Sequence, residues 1–122
     1  MKATELMIGD KVMVKVLSQI PDTYVLHSWN ANDYSRDIQV KPIPLTAELL
    51  DENDFWIVED DIRYCGDSEV WTHTDVEHLD IEKFEGRFQC YEIPDMQFNY
   101  VHQIQQALRL CGLNDLANNF KV

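Results

Sequence analysis

The chain has 122 residues, 45% hydrophobic and 26% charged, which reads as one folded domain able to close a core without disulfides. Its formal net charge of −12 argues against nucleic acid and anionic membranes as partners, and no run approaches the roughly 18 apolar residues of a membrane span. The opening segment lacks the apolar run of a signal peptide, and Cys65, Cys90 and Cys111 form no CxxC pair, so free thiols in the cytoplasm are expected.

In chain order, "LMIGDKVMVKVL" sets a Gly-Asp turn before an alternating run, Val12, Val14 and Val16, which predicts a strand. "TYVLHSW" and "RDIQVK" predict two more, separated by the polar "NANDYS", and together the three suggest an antiparallel meander over 1–41. Pro42 and Pro44 cannot donate to a ladder, so they force an extended crossing. Thr46 then caps a short helix, with Glu48 in its first turn, Leu49 and Leu50 turned to the core and Asn53 as its stop. "FWIVED", "IRYC" and "EVWTHT" read as strands, with Gly66-Asp67 as a turn.

"HLDIEKFEGRFQCYEI" is the strongest hairpin signal. With Glu85-Gly86 as the loop, Phe84 faces Arg87 and Ile81 faces Cys90. Leu79, Ile81, Phe88 and Cys90 then share the core face, while His78, Asp80, Glu82 and Gln89 share the other. Beyond Pro94-Asp95, a helix starting near 96–99 carries Val101, Ile104, Leu108 and Cys111 as its apolar stripe. His102, Gln103, Gln105, Gln106 and Arg109 fall mostly outside that stripe. Arg109 and Gly112 supply stop chemistry, and Leu113, Leu116 and Phe120 tuck the remainder against the body.

The expected fold is therefore α+β: a mostly antiparallel curved sheet or partial small barrel, a short middle helix, and a C-terminal amphipathic helix packed on it. It forms a single domain over 1–122, divisible into the meander of 1–41 and a remainder of 46–122.

Charge distribution bears on function. Residues 51–97 hold 15 acidic and 3 basic side chains, or −12, whereas 1–50 carry −1 and 98–122 carry +1. Within this middle, Asp75, Glu77, Asp80 and Glu82 are the candidate interaction surface, and a basic protein is the partner they suit. His73, Asp75 and His78 are candidate metal ligands, since imidazole and carboxylate together hold divalent ions. On a strand only alternate residues share a face, so His73 and Asp75 can converge while His78 lies beyond a bend. "DENDFW" lacks the Gly turn of a calcium loop. In "YVHQIQQ", Gln103 and Gln106 occupy the places of the Glu and second His of a zinc-protease helix, which rules out hydrolysis by that route. Trp29, Trp56 and Trp71 read as core aromatics rather than a groove. No P-loop, GxGxxG or GxSxG occurs, and no cofactor is expected.

Three segments, "MKATELMIGDKV", "PIPLTAELLDENDF" and "YVHQIQQALRLCGL", occur in an order that resembles a family of short uncharacterised bacterial and prophage proteins. These carry a Leu-x-Ile-Gly-Asp box, a Pro-Ile-Pro-Leu-Thr segment and a Tyr-Val-His-x-Leu-Gln helix; here Ile104 replaces the Leu. The match covers about a third of the chain. The resemblance implies a small intracellular accessory protein of mobile-element origin and supplies no catalytic residue. The function expected is thus a non-catalytic protein-interaction module. The alternatives are an acidic nucleic-acid mimic that blocks a basic protein, and a metal-dependent enzyme built around His73 and His78.

Overall fold

A computed structural model describes residues 5–16, 23–35, 38–58, 69–84, 86–91, 93 and 96–122, and the side chains of Val16, Glu77, His78 and Phe84 fall outside that description. "IRYC", Cys65, Gly66-Asp67 and Pro94-Asp95 also lie outside the described residues. The architecture is α+β, with two open antiparallel sheets of three and four strands in place of the single curved sheet or partial barrel expected. The chain forms two compact units. One comprises 1–44 and 100–119, and the other 45–99 and 120–122. The prolines explain why one sheet does not run on: the third strand ends at Lys41, and Pro42 and Pro44 have no N–H with which to extend its ladder.

The first unit contains β1 (Lys11–Val16), β2 (Thr23–Ser28) and β3 (Val40–Lys41) in the order β2-β1-β3. β1 pairs with β2 from Lys11↔Ser28 to Val16↔Thr23, and with β3 through Val14↔Val40. This is a correction to the meander, because β1 rather than β2 is central. The connection after β2 is no hairpin turn. Trp29 is buried, and Ala31–Ser35 coils into a 3-10 helix that carries the chain off the β2 edge. Of the described residues of "RDIQVK", Val40 and Lys41 are the ones that form β3, while Arg36 and Asp37 lie outside the described residues. Leu6, Val12 and Trp29 form the core beneath β1, with Val14 and Val40 against them.

The helix α2 (Val101–Leu110) packs on β1 in this unit. It begins later than its periodicity suggests, because residues 96–98 are engaged as an extended segment: Cys90 N–H donates to the Met96 carbonyl and Phe98 N–H to that of Phe88. Val101, Ile104 and Leu108 are fully buried, as their spacing predicts. Cys111 is exposed instead, since the helix ends at Leu110 and the fourth stripe position falls in the cap. There Gly112, at φ +79°, lets Leu113 N–H reach the Leu108 carbonyl at 2.9 Å and its own N–H reach that of Arg109 at 3.0 Å. The short α3 (Asn114–Asn118) follows.

In the second unit, Thr46 caps α1 (Ala47–Glu52) by accepting the Leu49 N–H at 3.2 Å, and Leu50 is fully buried while Leu49 is half-buried. Strands β4 (Trp56–Ile57), β5 (Glu69–His73), β6 (Val76–Phe84) and β7 (Arg87–Cys90) pair in sequence order. The β6–β7 register has Phe84 opposite Arg87 and Ile81 opposite Cys90, with Gly86 at φ +77° in the loop. Leu79, Ile81, Phe88 and Cys90 are all buried, as the hairpin reading requires. Trp71 is buried with them, whereas Trp56 is 46% exposed.

The exit from α1 uses the same reversal as α2 but with Asp54 at the left-handed position, φ +67°. Phe55 N–H donates to the Leu50 carbonyl at 3.0 Å and Asp54 N–H to that of Asp51 at 3.2 Å. Phe55 and Leu50 are both buried, so the reversal is held by packing despite its side chain's steric penalty. Asp54→Gly should remove that penalty of about 1–2 kcal/mol while adding roughly 0.5–1 kcal/mol of unfolded-state entropy. The expected result is a small gain in the urea midpoint. A loss would show that the Asp54 side chain contributes to the turn.

Candidate functional site

Three separate groups of side chains carry the polar chemistry of the described residues. The first is centred on Asp10, whose side chain is fully buried in the turn before β1. Its Oδ2 accepts the Met7 N–H at 2.8 Å and the Gln106 Nε2 at 2.7 Å, and its Oδ1 is bonded by the Arg109 guanidinium. Gln106 also donates to the Glu5 carbonyl at 2.8 Å. His102, Gln106 and Arg109 stand four and three residues apart, so they form a second, polar stripe on α2. Beside it lies Gln105, also fully buried, whose Oε1 accepts the Lys11 N–H at 2.8 Å. Its Nε2 donates to the carbonyls of Gly9 (3.1 Å) and Ala117 (2.9 Å).

Gly9 is required by two features here. Its φ is +92°, and a Cβ would stand 2.6 Å from the Asn118 Oδ1 and 3.0 Å from the Arg109 guanidinium. Its N–H donates to the Trp29 carbonyl, and Trp29 N–H returns a bond to the Asp10 carbonyl, each at 2.7 Å. The Gly-Asp turn therefore joins α2, the start of β1 and the end of β2 at one point.

The spacing sets His102, Gln103, Gln105, Gln106 and Arg109 mostly outside the apolar stripe; the structure nevertheless buries His102 and Gln105 and turns Gln106 and Arg109 onto Asp10. His102 is 4% exposed, with its ring stacked on Tyr100 at 5.9 Å and 8°. Its Nδ1 is buried without a hydrogen-bond partner among the described residues. Gln103 Oε1 accepts the Tyr100 N–H at 3.0 Å and so caps the helix. The sequence signal for this arrangement is the 102/106/109 spacing combined with the Asp after Gly9.

The second group is centred on Asp33, also fully buried. Its Oδ2 lies 2.6 Å from the His27 Nε2 and accepts the Asn30 N–H at 2.9 Å. Trp29 packs edge-on between His27 and Tyr34, at 6.4 and 5.7 Å, and the Tyr34 hydroxyl donates to the Leu6 carbonyl at 2.6 Å. This group closes the 3-10 helix onto the β2 end.

The third comprises the residues singled out in the sequence. His73 is buried on β5, edge-on to Phe55 at 5.0 Å, and its Nδ1 accepts the Asp75 N–H at 3.0 Å across the β5–β6 turn. The Asp75 side chain is exposed. The His78 side chain, like that of Glu77, lies outside the described residues. Asp80 and Glu82 are half-buried on the β6 face opposite Leu79 and Ile81, and Glu82 accepts the Gln89 Nε2 at 2.8 Å from β7. Among the described residues, no three His, Cys, Asp or Glu side chains gather as metal ligands would, and no helix is long and apolar enough to cross a membrane. No family model matches the chain, and no curated protein or solved structure matches it.

The Asp10–Arg109 contact is buried on both sides, with side-chain exposures of 0% and 10%. Arg109→Ala leaves the carboxylate buried without its cation and should cost about 3–5 kcal/mol in a urea titration. A loss under about 1 kcal/mol, the range of an exposed pair, would contradict the placement.

Burial lowers the His102 pKa from the ordinary 6.5, with the carboxylates of Asp10 and Glu5 opposing the shift. A lowered folded-state value means that the unfolded chain takes up the proton first as pH falls. The stability contributed by neutral His102 is therefore fully present above pH 6.5 and is lost as pH falls through its folded value. His102→Phe keeps an aromatic ring against Tyr100 and should flatten the decline of melting temperature below that pH. An unchanged profile would show that His102 is solvated.

Proposed function

We propose that this protein is a non-catalytic interaction module whose partner is a basic protein. The observation that carries this reading is the placement of charge. Asp80 and Glu82 lie on the β6 face opposite the core residues Leu79 and Ile81, and Asp75 projects from the adjoining turn. They belong to the stretch that holds the whole excess of −12. A strand with one apolar face buried and one acidic face turned away presents carboxylates in fixed register, which favours encounter with a cationic surface. The His73 environment supports the same reading: its ring is packed against Phe55 and its Nδ1 is taken by a backbone amide, an arrangement that serves the β5–β6 turn. The resemblance to short prophage and mobile-element proteins agrees with an accessory role.

The test is capture of partners from bacterial extract by the wild-type protein and by Asp80→Lys/Glu82→Lys, which moves the net charge from −12 to −8. A basic protein should be retained by the wild type, lost as salt rises and the Debye length falls below about 8–10 Å, and retained poorly by the reversal variant. Equal retention by the two, with melting temperatures matched, would reduce the acidic face to a solubility coat. Capture of duplex DNA by the wild type would overturn the reading.

A further inference from the structure

The first unit contains an open recess of about 390 Å³ lined by Glu5, Pro42, Tyr100, His102 and Gln103. Its volume is that of a small-molecule or single side-chain site. Its lining includes an acid but no Lys or Arg, and Asp10 stands near enough to act electrostatically on His102, so an anion is disfavoured. Glu5 and His102 alone make too few ligands for a stable metal site. The wall is set in advance. The Gln103 side chain is held on the Tyr100 N–H, and the Tyr100 ring lies parallel on that of His102 while remaining 36% exposed. Behind it, the buried Nδ1 of His102 lacks a partner among the described residues. An orphaned buried nitrogen marks a place short of a hydrogen-bond partner.

We propose that this recess receives an arginine side chain of the basic partner, its guanidinium plane on the exposed part of the Tyr100 ring and its N–H groups toward Glu5. The proposal rests on the interaction-module reading but assigns a contact that the acidic strand does not provide. Arginine is favoured over lysine because a planar, weakly hydrated fork can stack on an aromatic ring and still direct donors to a carboxylate, which a compact, strongly hydrated ammonium does less well. An arginine anchor seated in a preformed pocket is also a common source of affinity at protein interfaces.

The probe is N-acetyl-arginine amide, followed by amide and His102 ring NMR shifts in the full chain, with the lysine analogue and inorganic phosphate as comparisons. Saturable shifts at Tyr100, His102 and Gln103 are expected with the arginine probe, with binding about two- to fivefold weaker for lysine and none for phosphate. Glu5→Gln, an exposed position that should fold normally, should weaken the arginine response, and Tyr100→Leu should reduce it further. No shift at these residues, an equal response to lysine, or an unchanged response in Glu5→Gln would overturn the proposal. The two readings can fail separately. A basic partner lost on Asp80→Lys/Glu82→Lys but bound normally by Glu5→Gln would remove the recess and leave the acidic strand. Arginine binding in the recess, with capture unaffected by the strand reversal, would do the opposite.

Discussion

The first unit depends on one buried carboxylate. Taking Asp10 out of water without partners would be prohibitive, and its neighbours are arranged to prevent that. A backbone amide from its own turn, a side-chain amide and a guanidinium from α2 all converge on it. Each donor comes with a structural demand. The Met7 amide requires the turn, the turn requires Gly9 at φ +92°, and Gly9 needs its missing Cβ because Asn118 and Arg109 press against it. Satisfying one ion thus fixes the turn, the rotation of α2 about its axis and the approach of α3. Apolar packing alone would hold α2 on β1 through Val101, Ile104 and Leu108 but tolerate sliding along it. The Gln105 bonds to Lys11, Gly9 and Ala117 remove that freedom. This is the use of buried polar groups best supported by physical chemistry: they add little net stability but exclude other registers.

The second unit solves a similar problem with a neutral side chain. Asn53 is 5% exposed, and it donates to the carbonyls of Leu49 and Lys121 while its Oδ1 accepts the Lys121 N–H at 2.6 Å. A C-cap residue thereby fastens the last residues of the chain beside α1, and Phe120 is buried fully as a result. An amide suits this place because it both donates and accepts, whereas a carboxylate would face a carbonyl with no proton to offer.

Local patterns were legible where local physics decides. The 84/87 and 81/90 pairings follow from alternation and from a two-residue loop whose glycine carries the positive φ. Thr46, Asn53 and Gly112 act where their capping chemistry places them. Connectivity was less legible. A rule that neighbouring strands pair favours β2 with β3, and it fails because the Asp33-stapled 3-10 helix costs too much chain for a hairpin. The polar stripe of α2 was misread for a deeper reason. Periodicity reports which residues share a face, and a face of His, Gln and Arg looks like one made for water. Only the position of Asp10, more than ninety residues away in sequence, turns it inward. The 102/106/109 spacing shows that these side chains share a face, but nothing periodic tells which way that face turns.

The two units therefore use charge in opposite ways, which bears on function. In the first, Asp10 and Asp33 are fully buried and occupied by donors within the unit, so they are spent on architecture. Glu5, at the edge of the Tyr100 recess, is exposed. In the second, the acids on α1, β5 and the β5–β6 turn, namely Glu48, Asp51, Glu52, Glu69 and Asp75, are exposed. A chain needing only solubility would not have to gather its excess negative charge into 51–97 while leaving 1–50 and 98–122 nearly neutral. Segregation has an electrostatic cost in self-repulsion, and like charges spread over the whole surface would incur less of it. The concentration of acids in 51–97 is therefore an argument for the cationic partner proposed above, which a uniform coat of charge would not supply.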